Sequence, residues 1–110
     1  MTRLATEFWV HAYIKRLELQ NIPAYVMVHG DNTAGAVLVK LATLDGQACL
    51  MHRTYDLQSG ELSWTEMSTG PETEVDNLIV KQRSFDPDLW VIELEDRAGR
   101  TLLDEDGLSD

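Results

Sequence analysis

The side chains best suited to chemistry are His29, Asp31 and Asn32, close together in His29-Gly30-Asp31-Asn32, and Asp56 further along the chain. An imidazole that titrates near neutral pH supplies a nitrogen ligand and carboxylates supply hard oxygens. Such a group could hold a metal ion or a small polar ligand, or weakly activate water for hydrolysis. It assembles only if two pairings hold. His29 must lie opposite Gly35, which has no side chain to keep the group apart, and Asp56 must occupy the neighbouring position on the next strand. The run Gly30-Asp31-Asn32-Thr33 is also good turn chemistry, because Asx side chains bond their own loops. The candidate ligand-binding residues are therefore His29, Asp31, Asn32 and Asp56, with no metal or cofactor assigned to them.

Elsewhere the residues point away from catalysis. His11 follows Glu7 by four positions, the spacing of a solvated helical ion pair, and His52 falls on an expected core face, where a hydrogen-bonded structural histidine is the usual case. Cys49 is the single cysteine, so no intrachain disulfide and no thiol cluster for zinc or iron–sulfur can form. Glu93 and Glu95 alternate along a strand as a wet face does. Asp104-Glu105-Asp106-Gly107 begins like a calcium loop, but too few residues follow to complete one. Phosphate-binding glycine loops and a nucleophile elbow are absent.

Size and charge narrow the partners. A chain of 110 residues suits one domain with its own core. Lys and Arg number 9 against 19 Asp and Glu, a formal charge of −10, which repels phosphate backbones and anionic lipid and argues against nucleic acid and membrane partners. The first residues lack the apolar run of a secretory signal, and no apolar stretch approaches the roughly 20 residues that cross a bilayer. The expected setting is the cytoplasm.

The elements that must position these residues follow from periodicity. A helix is expected over Leu4–Gln20, ended by Asn21 and Pro23. Its two apolar sectors, Leu4, Ala5, Phe8, Ala12 and Leu19 on one side and Val10, Tyr13, Ile14 and Leu17 on the other, call for two covering surfaces, a sheet and a second helix or subunit. Four strands are expected at Ala24–His29, Gly35–Leu44, Gln47–Asp56 and Leu62–Met67. A two-residue Asp45-Gly46 turn sets Leu41 opposite Leu50 and Val39 opposite His52. A longer turn with Gly60 left-handed sets Tyr55 opposite Leu62 and Arg53 opposite Trp64. A second helix opens at Gly70-Pro71 and stops at Asp86-Pro87. Strands at Leu89–Glu95 and Thr101–Leu103 complete an α+β domain over residues 1–103, an antiparallel meander sheet in the order helix, four strands, helix, two strands, with both helices on one face. The acidic tail 104–110 is expected to fray.

With those registers the core face carries Val37, Val39, Leu41, Leu50, His52 and Met67. The outer face carries Leu38, Met51, Arg53, Tyr55 and Trp64, together with Lys40 and Glu66 flanking Met51. Arg, Trp, Tyr and Met are enriched where proteins meet, so Arg53, Trp64, Met51, Tyr55 and Leu38 are the candidate interface of a homodimer or of a complex with another protein.

Two stretches resemble a known family. They are Thr6-Glu7-Phe8-Trp9-Val10-His11-Ala12-Tyr13 leading to Ile22-Pro23-Ala24 and Ala34-Gly35-Ala36-Val37-Leu38-Val39-Lys40, and Gln82-Arg83-Ser84-Phe85-Asp86-Pro87-Asp88-Leu89-Trp90-Val91-Ile92-Glu93. They resemble the proteobacterial domain of unknown function 1491, from Arg3 to about Leu103. The resemblance implies a bacterial cytosolic protein standing alone as one domain, and brings no catalytic or binding residues with it. The reading at this point is a non-catalytic interaction module that self-associates, with a small-ligand or metal-binding domain on His29, Asp31 and Asp56 as the alternative.

Overall fold

The computed structural model describes residues 5–105 and Leu108. Helix α1 spans Thr6–Leu19, and Leu4 lies outside the described residues. No side chain caps its start; instead the Thr6 and Glu7 N–H groups donate to the carbonyls of Thr33 and Asn32 at 3.2 and 2.9 Å, so a distant loop satisfies two of the helix's unpaired donors. Its end closes through Asn21, left-handed at φ 59° as the sequence predicts, with Ile22 N–H bonded to the Leu17 carbonyl at 2.9 Å. Trp9, Val10, Tyr13 and Leu17 are buried, while Phe8 and Leu19 on the other sector stay in the open.

The strands are β1 (Ala24–Val28), β2 (Val37–Ala42), β3 (Gln47–Tyr55), β4 (Leu62–Pro71) and β5 (Trp90–Glu95), with helix α2 over Glu72–Phe85 between β4 and β5. They form one sheet in the order β1-β5-β2-β3-β4, and β5 runs parallel to β2. The sheet is thus mixed, and the expected antiparallel meander is corrected. Consecutive β1 and β2 do not pair, because the crossover through α2 carries β5 between them. Thr101–Leu103 forms no strand, and Leu102 adopts a left-handed φ of 60°.

The β2–β3 turn also differs from expectation. Leu44 is left-handed (φ 63°) as well as Gly46 (φ 86°), so the reversal takes three residues. The Asp45 carboxylate accepts from the Thr43 hydroxyl at 2.6 Å and from Gln47 N–H at 3.1 Å, bonds that hold its pKa below the ordinary range. One extra turn residue moves the register by one. Val39 faces Met51 and Leu41 faces Cys49, not His52 and Leu50, and a shift of one residue exchanges the faces of a strand. The β3–β4 hairpin has the expected register, with Arg53 opposite Trp64 and Tyr55 opposite Leu62, and Gly60 is left-handed.

Both faces of the sheet are consequently core. On one, Val37, Val39, Leu41, Trp90, Ile92 and Leu94 pack with α1 and with Leu103 and Leu108. On the other, Leu38, Ala48, Leu50 and Val91 pack with Val75 and Ile79 of α2. The helices therefore lie on opposite faces, which corrects the expectation of a single helical layer. Leu108 is buried, its carbonyl accepting from Trp64 Nε1 at 3.0 Å. Asp106, Gly107, Ser109 and Asp110 lie outside the described residues.

To reach β2 from β1 the chain must cross the start of β5, and it does so on glycines. A Cβ at Gly35 would lie 2.5 Å from the Asp88 carbonyl oxygen and 2.9 Å from Cδ1 of Trp90, and one at Gly30 would meet the same two groups. Both obstacles are backbone or a buried ring that cannot swing aside. Gly35→Ala should cost on the order of 2 kcal/mol or more by overpacking, read as a lower urea midpoint, whereas Gly46→Ala, with open space around it but a left-handed φ, should cost about 1 kcal/mol.

Candidate functional site

The four expected ligand residues do not converge. β5 and β2 lie between β1 and β3, so His29 and Asp56 stand at strand ends separated by three inter-strand spacings, roughly 14 Å. Their side chains have local duties. The His29 ring lies against Trp90 with centroids 4.0 Å apart. The Asp31 carboxylate accepts from the N–H groups of Thr33 and Ala34 at 3.1 and 2.8 Å and that of Asp56 accepts from Gln58 N–H at 2.8 Å, while Asn32 contributes its backbone carbonyl to the start of α1. Among the described residues no group of three His, Cys, Asp or Glu side chains is placed to hold a metal ion.

The five expected interface residues are divided by the register. Leu38 is buried beneath α2. Met51, Arg53 and Trp64 share the α1 side, where the Arg53 guanidinium lies 4.6 Å from the ring centre of Trp9 and 4.9 Å from that of Trp64, the two indoles being 5.4 Å apart. This is a cation–π cluster that holds α1 to the β3–β4 hairpin, worth about 0.5–2 kcal/mol per contact depending on desolvation. Tyr55 remains exposed at the hairpin end. Nearby, the Cys49 thiol contacts Met51 Sδ at 3.5 Å and Glu66 at 3.4 Å, and burial first, with the Glu66 carboxylate adding to it against an opposing hydrogen bond with Thr69, pushes its pKa up, which favours the protonated thiol over the nucleophilic thiolate.

Charge is concentrated at Lys40. Its side chain is 3% exposed, and Nζ donates to Glu72 Oε2 at 2.8 Å, Asp76 Oδ1 at 2.7 Å and Glu93 Oε1 at 2.9 Å. Glu93 is its cross-strand neighbour on β5, and Glu72 and Asp76 occupy one side of the first turns of α2, so one ammonium ties together β2, β5 and α2. Burial alone would lower its pKa, but the three carboxylates outweigh burial and raise it above the ordinary lysine value. All three N–H bonds are used and the nitrogen keeps its proton, so Lys40 pins the fold and cannot act as a nucleophile or base. Lys40 is thus buried and not on an outer face, and its sequence context signals this: a single lysine within a strand that is otherwise apolar must be paired if the strand is central.

The feature left over is the free edge of β1. Its five residues, Ala24 to Val28, carry no charge, and Tyr25, Val26 and Met27 are 51, 41 and 49% exposed. Glu95 N–H donates to the Pro23 carbonyl at 3.0 Å, and since backbone groups alternate along an antiparallel strand, Tyr25 also faces β5 while Ala24 and Val26 turn their N–H and C=O outward. Val28 then pairs with Val91, leaving Met27 as an extra residue in a bulge. The Tyr25 phenol is hydrogen-bonded to the Glu95 carboxylate, which raises its pKa. At the opposite edge, β4 carries Glu66 and is flanked by Glu61 and Glu72. Among the described residues, no helix is long and apolar enough to cross a membrane.

Residues 4–104 match the family described as "Protein of unknown function (DUF1491)". Among solved structures, the chain is similar to a DUF1491 family protein from Caulobacter crescentus CB15 in a crystal structure, with 39% identity, 94% of this chain and 97% of that one covered, and a TM-score of 0.85. An NMR structure of a DUF1491 family protein from the same organism shares 38% identity over 96% of each chain, with a TM-score of 0.81. The solution structure of protein Atu0922 from A. tumefaciens shares 28% identity over 86% of each chain, with a TM-score of 0.72. No curated protein matches the chain.

Replacing Lys40 tests its part in the fold. Lys40→Met leaves three carboxylates facing one another without a counter-ion and should cost about 3 kcal/mol, the low end for a broken buried pair because Glu72 and Asp76 are half exposed. Because the folded-state pKa lies above the ordinary 10.5, the lysine's contribution is complete below that pH and is lost as pH rises through the folded value. Urea titrations should therefore show a constant gap between wild type and Lys40→Met from neutral pH to about pH 10, narrowing beyond it.

Proposed function

The chain belongs to the DUF1491 family, and we propose that it is a non-catalytic interaction module of the bacterial cytoplasm, whose binding element is the free edge of β1. The observation that supports this is an uncharged, half-exposed strand with two residues, Ala24 and Val26, turning their backbone groups outward. Proteins ordinarily blunt such an edge with charge, proline or a bulge. Here Pro23 and the bulge at Met27 bracket the strand without covering it, so that a short segment stays open between two stops. Addition of a partner strand there would satisfy the outward groups by the ordinary ladder pattern, while the exposed side chains select the partner. Self-association, expected from the sequence through Arg53 and Trp64, is better served at this edge, because α1 and Leu108 already occupy those two side chains. The alternative of a small-ligand or metal site on His29, Asp31 and Asp56 gains no support, because Asp56 stands beyond β3, apart from the β1–β2 connection that carries His29 and Asp31, the two aspartates bond their own turns and His29 lies against Trp90.

Amide exchange reads the edge directly. In isotope-labelled protein, the Ala24 and Val26 amides should exchange slowly in concentrated solution or in bacterial extract and quickly in dilute pure protein. Val26→Pro removes an N–H that bonds nothing within β1–β5, so it should abolish the protection while lowering stability by only about 1–2 kcal/mol. Fast exchange under all three conditions would remove the reading.

A further inference from the structure

We infer that the strand received by β1 is the β1 strand of a second copy, antiparallel to it about a two-fold axis at Tyr25, so that two five-stranded sheets join edge to edge into one. This rests on the reading of the edge given above and adds its occupant and its register.

The register follows from counting backbone groups. Only Ala24 and Val26 face outward before the bulge. In a self-pair about Tyr25, Ala24 of one copy lies opposite Val26 of the other, and each such pair exchanges both N–H···O bonds. All the outward groups of the segment are then satisfied, four bonds in total, and the bulge at Met27 stays outside the paired window. Pro23, which has no N–H, points its carbonyl to β5 and so takes nothing from the new ladder. A self-pair about Val26 serves worse. It would pair Val26 with itself, set Ala24 against Val28 beyond the bulge, and leave the Ala24 groups without partners.

The strand itself is without charge, so it admits a second copy with only Glu95, held by the Tyr25 phenol, near the seam, and it offers a basic partner nothing to pair with. Each chain carries −10, so two copies repel unless they meet where charge is missing. From Gln20 to Gly30 the sequence has no Asp, Glu, Lys or Arg, and this stretch contains the whole of β1. A basic partner would be drawn to the acidic faces and would find no complement on this strand. The β4 edge, with Glu66 and its acidic flanks, sets like charges together in any self-pair.

Site-directed cross-linking tests the register. Residues opposite each other in a non-hydrogen-bonded pair have Cα atoms about 4.5 Å apart, inside the disulfide range of roughly 4.4–6.8 Å. With the single native cysteine removed by Cys49→Ser, Tyr25→Cys should therefore link two copies readily under mild oxidation. Val26→Cys, facing Ala24 of the other copy, should link several-fold more slowly, and Val80→Cys, exposed on α2, should mark the background. Wild-type protein, which needs no substitution, should show a dimer by sedimentation that tightens as added salt shortens the reach of the repulsion. A dimer in which Val26→Cys or Val80→Cys links faster than Tyr25→Cys overturns the register and leaves the edge reading to be judged by exchange. A monomer at all concentrations, with Ala24 and Val26 protected only in extract, overturns the second copy as occupant while the edge reading stands. A monomer with both amides unprotected everywhere removes the two together.

Discussion

The parallel pairing of β2 with β5 puts two strands buried on both faces at the middle of the sheet, and such strands require a layer on each side. That requirement explains why α1 and α2 are divided between the faces, why the last segment folds back to Leu103 and Leu108 under α1, and why neither face is left for a broad contact surface. It also leaves β1 at the margin. With β5 on its inner side, β1 pairs once and then meets solvent.

Lys40 shows what two-sided burial does to a charged residue. Six successive positions of β2 are buried, and an ammonium among them is tolerable only because its three protons each reach a carboxylate. The acids come from two elements that reach β2 only in the finished fold, β5 beside it and the start of α2 above it. The pin therefore reports correct assembly as well as contributing to it, since any arrangement that left β5 elsewhere would bury the lysine without Glu93.

Much of the local structure was legible. Asn21 as a left-handed helix end, Gly60 in the β3–β4 turn, the stop at Asp86-Pro87 and the facing of Arg53 by Trp64 all follow from short-range chemistry and all hold. What escaped was long-range. Hairpin logic pairs each strand with the next, which sets β1 beside β2 and brings His29 towards Asp56. The apolar run Trp90-Val91-Ile92 carried the contrary signal, because an edge strand of a meander has a wet face and this one has none. Leu44 was the other obstacle. An Asp-Gly pair favours a two-residue turn, and nothing local discloses that a leucine before it will take a left-handed φ to make the turn longer. That single residue moved Met51 and Cys49 to the α1 side and separated Leu38 from Arg53 and Trp64. The β1 edge was written plainly in the uncharged stretch from Gln20 to Gly30, but became an edge only once its neighbour was known.

The placement of β5 also sets an order of events during synthesis. β5 is the last strand to leave the ribosome and yet lies second in the sheet, while β2, β3 and β4 are joined by short hairpins and can pair as they emerge. β1, although made early, has no strand to pair with until β5 arrives between it and β2. A chain interrupted before β5 thus leaves β1 without a partner strand, and Ala24 and Val26 hold their outward backbone groups in place only once Trp90–Glu95 has entered the sheet.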